Sequence, residues 1–146
     1  MKVEIKIDPG CQETTVIILA KEMTDDVSKL AQSLCIKQSH LIVRFRGGNA
    51  KPLAVDKIIR IYTANQKVYI VAEDGEYTTR LRLYELEERL PSNMFVRTSN
   101  SEIVNLQKIK EFDLNFVGSI AVHFLDSSTT YVSRRYVAKI KKILGL

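Results

Sequence analysis

The chain has 146 residues, 45% of them hydrophobic and 27% charged, with a formal net charge of +5. That composition carries one globular domain, or one domain with a short appendage, and excludes a wholly disordered chain. No apolar run nears the roughly 18 residues of a membrane span, and Lys2, Glu4, Lys6, Asp8 and Glu13 interrupt the region where a signal peptide needs an apolar stretch, so a cytoplasmic location is expected.

Taken in chain order, residues 3–7 alternate apolar and charged side chains as a half-buried strand does, and Asp8-Pro9-Gly10 turns the chain. Residues 15–20 form a continuous β-branched run, the pattern of a strand covered on both faces. Thr24 then stands as an N-cap with Asp25 and Asp26 in the first turn, where the helix dipole favours negative charge. Val27, Leu30, Ala31 and Leu34 follow at the spacing of one apolar helix face. A further strand is expected over residues 41–45, and Arg46-Gly47-Gly48-Asn49 breaks the pattern. The spacing therefore predicts a small strand-strand-helix-strand segment over residues 1–47 and a second domain over 48–146.

The second part reads mostly as short strands. Residues 57–62 and 67–72 are β-rich, Asp74-Gly75 is a hairpin signal, and Tyr77 and Thr78 continue as a strand. Leu83, Leu86 and Leu90 mark one face of a helix over 81–90 that Pro91 ends. Strands are expected at 95–96, 103–106, 120–125 and 130–132. Ser133 then caps a last helix through Leu144, with Val137, Ile140 and Leu144 as its core face.

An enzyme is not indicated. The histidines are His40 and His123, and His123 alternates with the apolar Val122 and Phe124 of a strand, which reads as an exposed position rather than a general base. Nucleotide-binding glycine loops and the zinc-protease HExxH run are missing from the sequence. Cys11 and Cys35 form neither a CxxC pair nor a histidine-flanked site, so buried reduced thiols are expected and no metal or other cofactor. The acidic run around Glu85, Glu87 and Glu88 reads as a solvated helix face.

Charge points elsewhere. Residues 1–47 carry 7 basic and 6 acidic side chains, but residues 48–146 carry 15 and 11. Arg134, Arg135, Lys139, Lys141 and Lys142 face no acidic residue between 130 and 146. A one-sided positive surface favours a polyanionic partner. The cap Ser133 is followed at once by Arg134 and Arg135, whose charges oppose the helix dipole by about 0.3–1 kcal/mol each. An external phosphate reverses that sign, and an arginine there can reach guanine O6 and N7 in a major groove. Two more polar clusters stand beside strands: Arg97-Thr98-Ser99-Asn100-Ser101, and Thr63-Ala64-Asn65-Gln66-Lys67.

These segments occur together in an order that resembles the LytTR family, the DNA-binding domain of LytR/AlgR-type bacterial regulators. The likeness is carried by Asp56-Lys57-Ile58-Ile59-Arg60-Ile61-Tyr62, by Leu83-Tyr84-Glu85-Leu86-Glu87-Glu88-Arg89-Leu90-Pro91, by Phe95-Val96-Arg97-Thr98-Ser99-Asn100-Ser101-Glu102-Ile103-Val104-Asn105, and by Tyr131-Val132-Ser133-Arg134-Arg135-Tyr136. The family's FxRxHRS run is partly kept, with Thr98 and Ser99 at its variable part. The resemblance implies an α+β fold, mostly antiparallel β, that inserts loops into successive major grooves of double-stranded DNA. Carried over by position, the contacts come from Asn65, Gln66 and Lys67, from Arg97, Ser99 and Asn100, and from Ser133, Arg134, Arg135 and Lys139. Arg135 and Asn100 are the base-edge candidates, while Lys67, Ser99 and Lys139 suit the phosphate backbone.

A receiver domain does not fit the first 47 residues, so the chain resembles stand-alone LytTR regulators, some of which a neighbouring membrane protein inhibits. Direct-repeat sites follow as an expectation, and residues 1–47 are expected either to pack on the second domain in a regulatory role or to pair with their copy in a homodimer, with no small-molecule substrate. The alternative is a protein-protein interaction module whose basic face is incidental.

Overall fold

The computed structural model describes residues 1–35, 40–45 and 48–146. The expected break at Arg46-Gly47 therefore lies outside the described residues. Two compact units emerge, Met1–Ile36 and Lys37–Leu146.

In the first unit, helix α1 (Asp25–Cys35) begins as the sequence predicts. Thr24 Oγ1 accepts a hydrogen bond from the Val27 N–H at 3.3 Å, and Asp25 and Asp26 occupy the first turn. The strands expected over 3–7 and 15–20 are not formed. A strand persists only when its N–H and C=O groups meet a partner's, and no ladder reaches either run. The turn between them does form, with the Cys11 N–H donating to Asp8 O at 3.1 Å. Cys11 itself is exposed rather than buried.

The second unit contains, in order, β1 (His40–Arg44), β2 (Ala50–Ala54), β3 (Ile58–Ala64), β4 (Lys67–Ala72), β5 (Gly75–Thr79), α2 (Leu83–Arg89), β6 (Phe95–Ser99), β7 (Glu102–Asn105), β8 (Ile109–Asp113), β9 (Ile120–Phe124), β10 (Thr129–Val132) and α3 (Arg134–Ile143). Two sheets result: a seven-stranded one in the order β2-β1-β5-β4-β3-β7-β6, and a three-stranded one in the order β10-β9-β8. Every pairing is antiparallel. Strand β1 joins this sheet through β2 and through Arg44 opposite Thr78 of β5.

Packing follows from side-chain alternation. On one face of the large sheet, Leu83, Leu86 and Leu90 at α2 bury against Leu41, Leu53, Ile58, Ile61, Ile70, Phe95 and Ile103. On the other face, Ile59, Val96 and Val104 meet Ile120, Val122, Phe124 and Val132 of the small sheet and Ile140 of α3. Each fully buried aliphatic side chain contributes roughly 1.5–3 kcal/mol. Strand β7 feeds both cores and is buried at all four positions. The result is an α+β, mostly antiparallel sandwich.

Candidate nucleic-acid interface

Sheet register brings the three expected clusters to one end of the second unit. The first is the two-residue turn of the β3–β4 hairpin, closed by Ala64 opposite Lys67. Asn65 and Gln66 both take positive φ, 52° and 63°, which is the geometry of a type I′ turn. Asparagine tolerates it; glutamine there is strained by roughly 1–2 kcal/mol. Both side chains and Lys67 are exposed, so no packing explains why a glycine is not used at position 66.

The second cluster is the β6–β7 turn. Tyr62 of β3 lies opposite Glu102 of β7, and the Thr63 N–H donates to Ser101 O at 2.9 Å. The β3–β4 turn thus projects beyond Ser101 by about two residues, roughly 7 Å. Here the structure differs from the sequence expectation of a polar loop over 97–101. Arg97, Thr98 and Ser99 belong to β6, and only Asn100 and Ser101 turn the chain.

Arg97 faces the molecule. Its Nη1 donates to Glu87 Oε2 at 2.6 Å, its Nε to Ser99 O at 2.8 Å and its Nη2 to Asn100 O at 2.8 Å. The guanidinium therefore braces the turn in this structure. Thr98 is fully buried. Ser99 Oγ lies 3.2 Å from Ser101 Oγ and accepts from the Ser101 N–H at 3.1 Å, shaping the same turn. Asn100 is exposed at its tip.

The third cluster is the start of α3, and three contacts tie it and the strand before it to β6, β7 and the turn between them. The Ser133 N–H donates to Thr98 O at 2.9 Å, the Tyr136 hydroxyl donates to Asn100 Oδ1 at 3.0 Å, and Thr130 Oγ1 donates to Glu102 Oε1 at 2.5 Å. Glu102, 6% exposed, also accepts from Arg60 Nη1 at 2.6 Å and from Thr98 Oγ1 at 3.4 Å. This buried charge network fastens the small sheet to the large one beneath the turns. Sequence reading missed it, because its members look like ordinary strand residues until the register joins them.

Ser133 takes the N-cap position with extended backbone, but its hydroxyl makes no capping hydrogen bond. Arg134 and Arg135 are exposed, with no acidic residue in the first turn. Lys139, also exposed, lies four residues after Arg135 and so shares its helix face, a like-charge neighbour that costs a few tenths of a kcal/mol without a counter-anion.

A further basic group had not been anticipated. Arg44, Lys67, Arg80 and Arg82 line, with Gln66, Thr78 and Thr79, a cleft of about 380 Å³ beside the first turn. Arg80 and Arg82 are exposed. The alternating Arg80-Leu81-Arg82 run just after a strand was the available signal. Across the sheet end the order is therefore Arg44 and Arg80, Lys67, the 65–66 turn, Asn100, then Ser133 to Arg135.

Three α-helices are present among the described residues, and each is separated from the next by strands, so no helix-turn-helix pair occurs among them. None is long and apolar enough to cross a membrane.

Comparison with known proteins gives a consistent result. The model of the LytTr DNA-binding domain matches residues 48–145. Two HTH-type transcriptional regulators of Staphylococcus aureus, both described as uncharacterized, are similar over the whole chain. One, from strain NCTC 8325, is 32% identical and the other, from bovine strain RF122, 31%; in both cases the match covers 100% of this chain and 99% of the relative. A solved LytTr DNA-binding domain from Bacillus cereus superposes with a TM-score of 0.71 at 26% identity, covering 75% of this chain and 99% of its own.

Proposed function

This chain belongs to the LytTr DNA-binding domain family, and from that premise we propose that it is a sequence-specific regulator that binds double-stranded DNA with turns rather than with a recognition helix. The observation that carries the reading is the convergence of three polar, exposed turns on one end of a braced sandwich, with cations on both flanks. Strands stand about 4.8 Å apart, so the five spacings from β1, which carries Arg44, to β6 cover roughly 24 Å across the sheet end, with the small sheet and the start of α3 one layer to the side. Long side chains extend that span toward the roughly 34 Å helical repeat of DNA, as contact with successive major grooves requires.

Roles follow from exposure and partners. Arg135 and Asn100 reach base edges; arginine suits guanine O6 and N7. Asn65, Gln66 and Ser133 supply neutral donors and acceptors beside them. Lys67, Arg134 and Lys139 meet phosphates, joined by Arg80 and Arg82. Arg97 and Ser99 act through the shape of the turn that presents Asn100. Two protomers on a repeated site complete the reading.

Selection of bound fragments from random duplex DNA with the full chain, followed by titration of the enriched fragment at several salt concentrations, tests this. Enrichment of a defined sequence is expected, with log K falling against log salt at a slope near −4.5 if about five phosphates are neutralised. No enrichment, together with salt-insensitive retention, sinks the proposal and leaves the basic end as the surface of an interaction module.

A further inference from the structure

The unit Met1–Ile36 contains apolar runs but no buried side chain among its described residues. Val3, Ile5 and Ile7 are 78%, 80% and 87% exposed. Val16, Ile17 and Leu19 are exposed as well. Ordering a residue's backbone costs about 1–2 kcal/mol, and a piece of this size without a core cannot offset it. Chains below about 40 residues generally need cross-links, metals or oligomerisation to fold. Something must cover these runs, and the charge pattern identifies it.

From Lys2 to Asp8 the residues alternate Lys, Val, Glu, Ile, Lys, Ile, Asp. Two copies laid antiparallel about a two-fold axis through Ile5 place Lys2 opposite Asp8, Val3 opposite Ile7, Glu4 opposite Lys6 and Ile5 opposite itself. Every charge then faces its opposite and every apolar side chain an apolar one. Axes at Val3 or Ile7 also oppose unlike charges, but each keeps one kind of ion pair, Lys2 with Glu4 or Lys6 with Asp8, where the Ile5 axis keeps two; the remaining registers fail. Moving the axis to Glu4 sets Lys2 against Lys6 and Glu4 against itself; moving it to Lys6 sets Glu4 against Asp8 and Lys6 against itself. An axis between residues pairs charged with apolar side chains, and a parallel in-register pair stacks like on like. Opposite charges across a strand pair stabilise it and like charges destabilise it.

We propose that the chain forms a homodimer through residues 2–8, paired as antiparallel strands on a two-fold axis at Ile5. The contact is isologous, so each protomer supplies both halves of every pair. A two-stranded ribbon alone is marginal in water; Val16, Ile17 and Leu19 of each copy supply the apolar surface that covers its Val3, Ile5 and Ile7 face. This deepens the two-protomer reading above, and its test is made without DNA so that either can fail alone.

Sedimentation equilibrium of the full chain gives the dimer dissociation constant. Glu4→Lys and Lys6→Glu, each of which creates two like-charge pairs per dimer, should raise it at least about tenfold. The double variant Glu4→Lys/Lys6→Glu restores both pairs and should return within about threefold of the parent. For the register, Ile5→Cys in a Cys11→Ser/Cys35→Ser background should form an intermolecular disulfide under mild oxidation. Directly opposed residues have Cα atoms about 4.5–5.5 Å apart, within disulfide range. Val3→Cys, opposite position 7, should not cross-link to itself. A parent chain that stays monomeric, a double variant as weak as the singles, or equal cross-linking at positions 3 and 5 overturns the proposal. Binding of the Glu4→Lys chain to a single DNA half-site should be unchanged.

Discussion

Replacing Tyr136 with phenylalanine removes one hydroxyl and keeps the ring. That hydroxyl donates to Asn100 Oδ1 at 3.0 Å from 36 residues away, and Asn100 is exposed at a turn tip with no packing to hold it. The pair is solvent-facing, so its loss should cost only about 0.5–1 kcal/mol of stability, a few degrees in Tm. Binding is affected differently. An amide released from Tyr136 must be ordered again on the DNA, at roughly 0.5–1.5 kcal/mol for one side chain. The dissociation constant for the selected site should therefore rise about 2- to 12-fold. Fluorescence anisotropy at fixed salt measures this, and the same substitution in an Asn100→Ala background supplies the control. If Tyr136 acts by orienting Asn100, it should add nothing there. Equal losses in both backgrounds would refute the coupling.

Arg135→Ala should weaken the selected site by about 1–3 kcal/mol with the fold intact; a mobility shift equal to the parent's removes Arg135 from the interface. Lys139→Ala should instead weaken all sequences alike and flatten the log K against log salt slope by about 0.9, and an unchanged slope denies it a phosphate contact. Gln66→Gly relieves the left-handed strain at φ 63°, with a net gain of about 0.5–1 kcal/mol after the added freedom of glycine in the unfolded chain. Urea unfolding should show that gain while DNA affinity drops, and loss of stability would show that Gln66 is held for the fold. Glu102→Gln unbalances a bridge whose Arg60 side chain keeps 27% exposure, so the loss should fall below the 3–5 kcal/mol of a fully buried pair, at about 2–3 kcal/mol in the same assay.

Much of the scaffold was legible because its signals are local. Thr24 before two aspartates, the leucines at 83, 86 and 90, and the uncommon residues of the 65–66 turn each report on their own few neighbours. The hairpin expected at Asp74-Gly75 formed one position earlier, with Glu73 and Asp74 turning and Gly75 opening β5. The runs over 3–7 and 15–20 carry strand composition yet form no strand, since composition cannot provide the partner whose amides a ladder needs. Arg97 read as a free cation in a loop. Its fate depended on Glu87, ten residues away on α2, which accepts from its guanidinium.

The sequence by itself determined where the chain turns, which residues prefer water, and where positive charge gathers, because backbone propensity and charge are properties of a residue and its immediate neighbours. Tertiary structure alone decided that the 65–66 turn, the 100–101 turn and the start of α3 share one end of the molecule. It also decided that Arg97, Thr98 and Glu102 brace that end while Asn100 and Arg135 stay exposed. Those outcomes rest on pairings between residues about 40 positions apart, such as Arg60 with Glu102, and only strand register and packing select such partners.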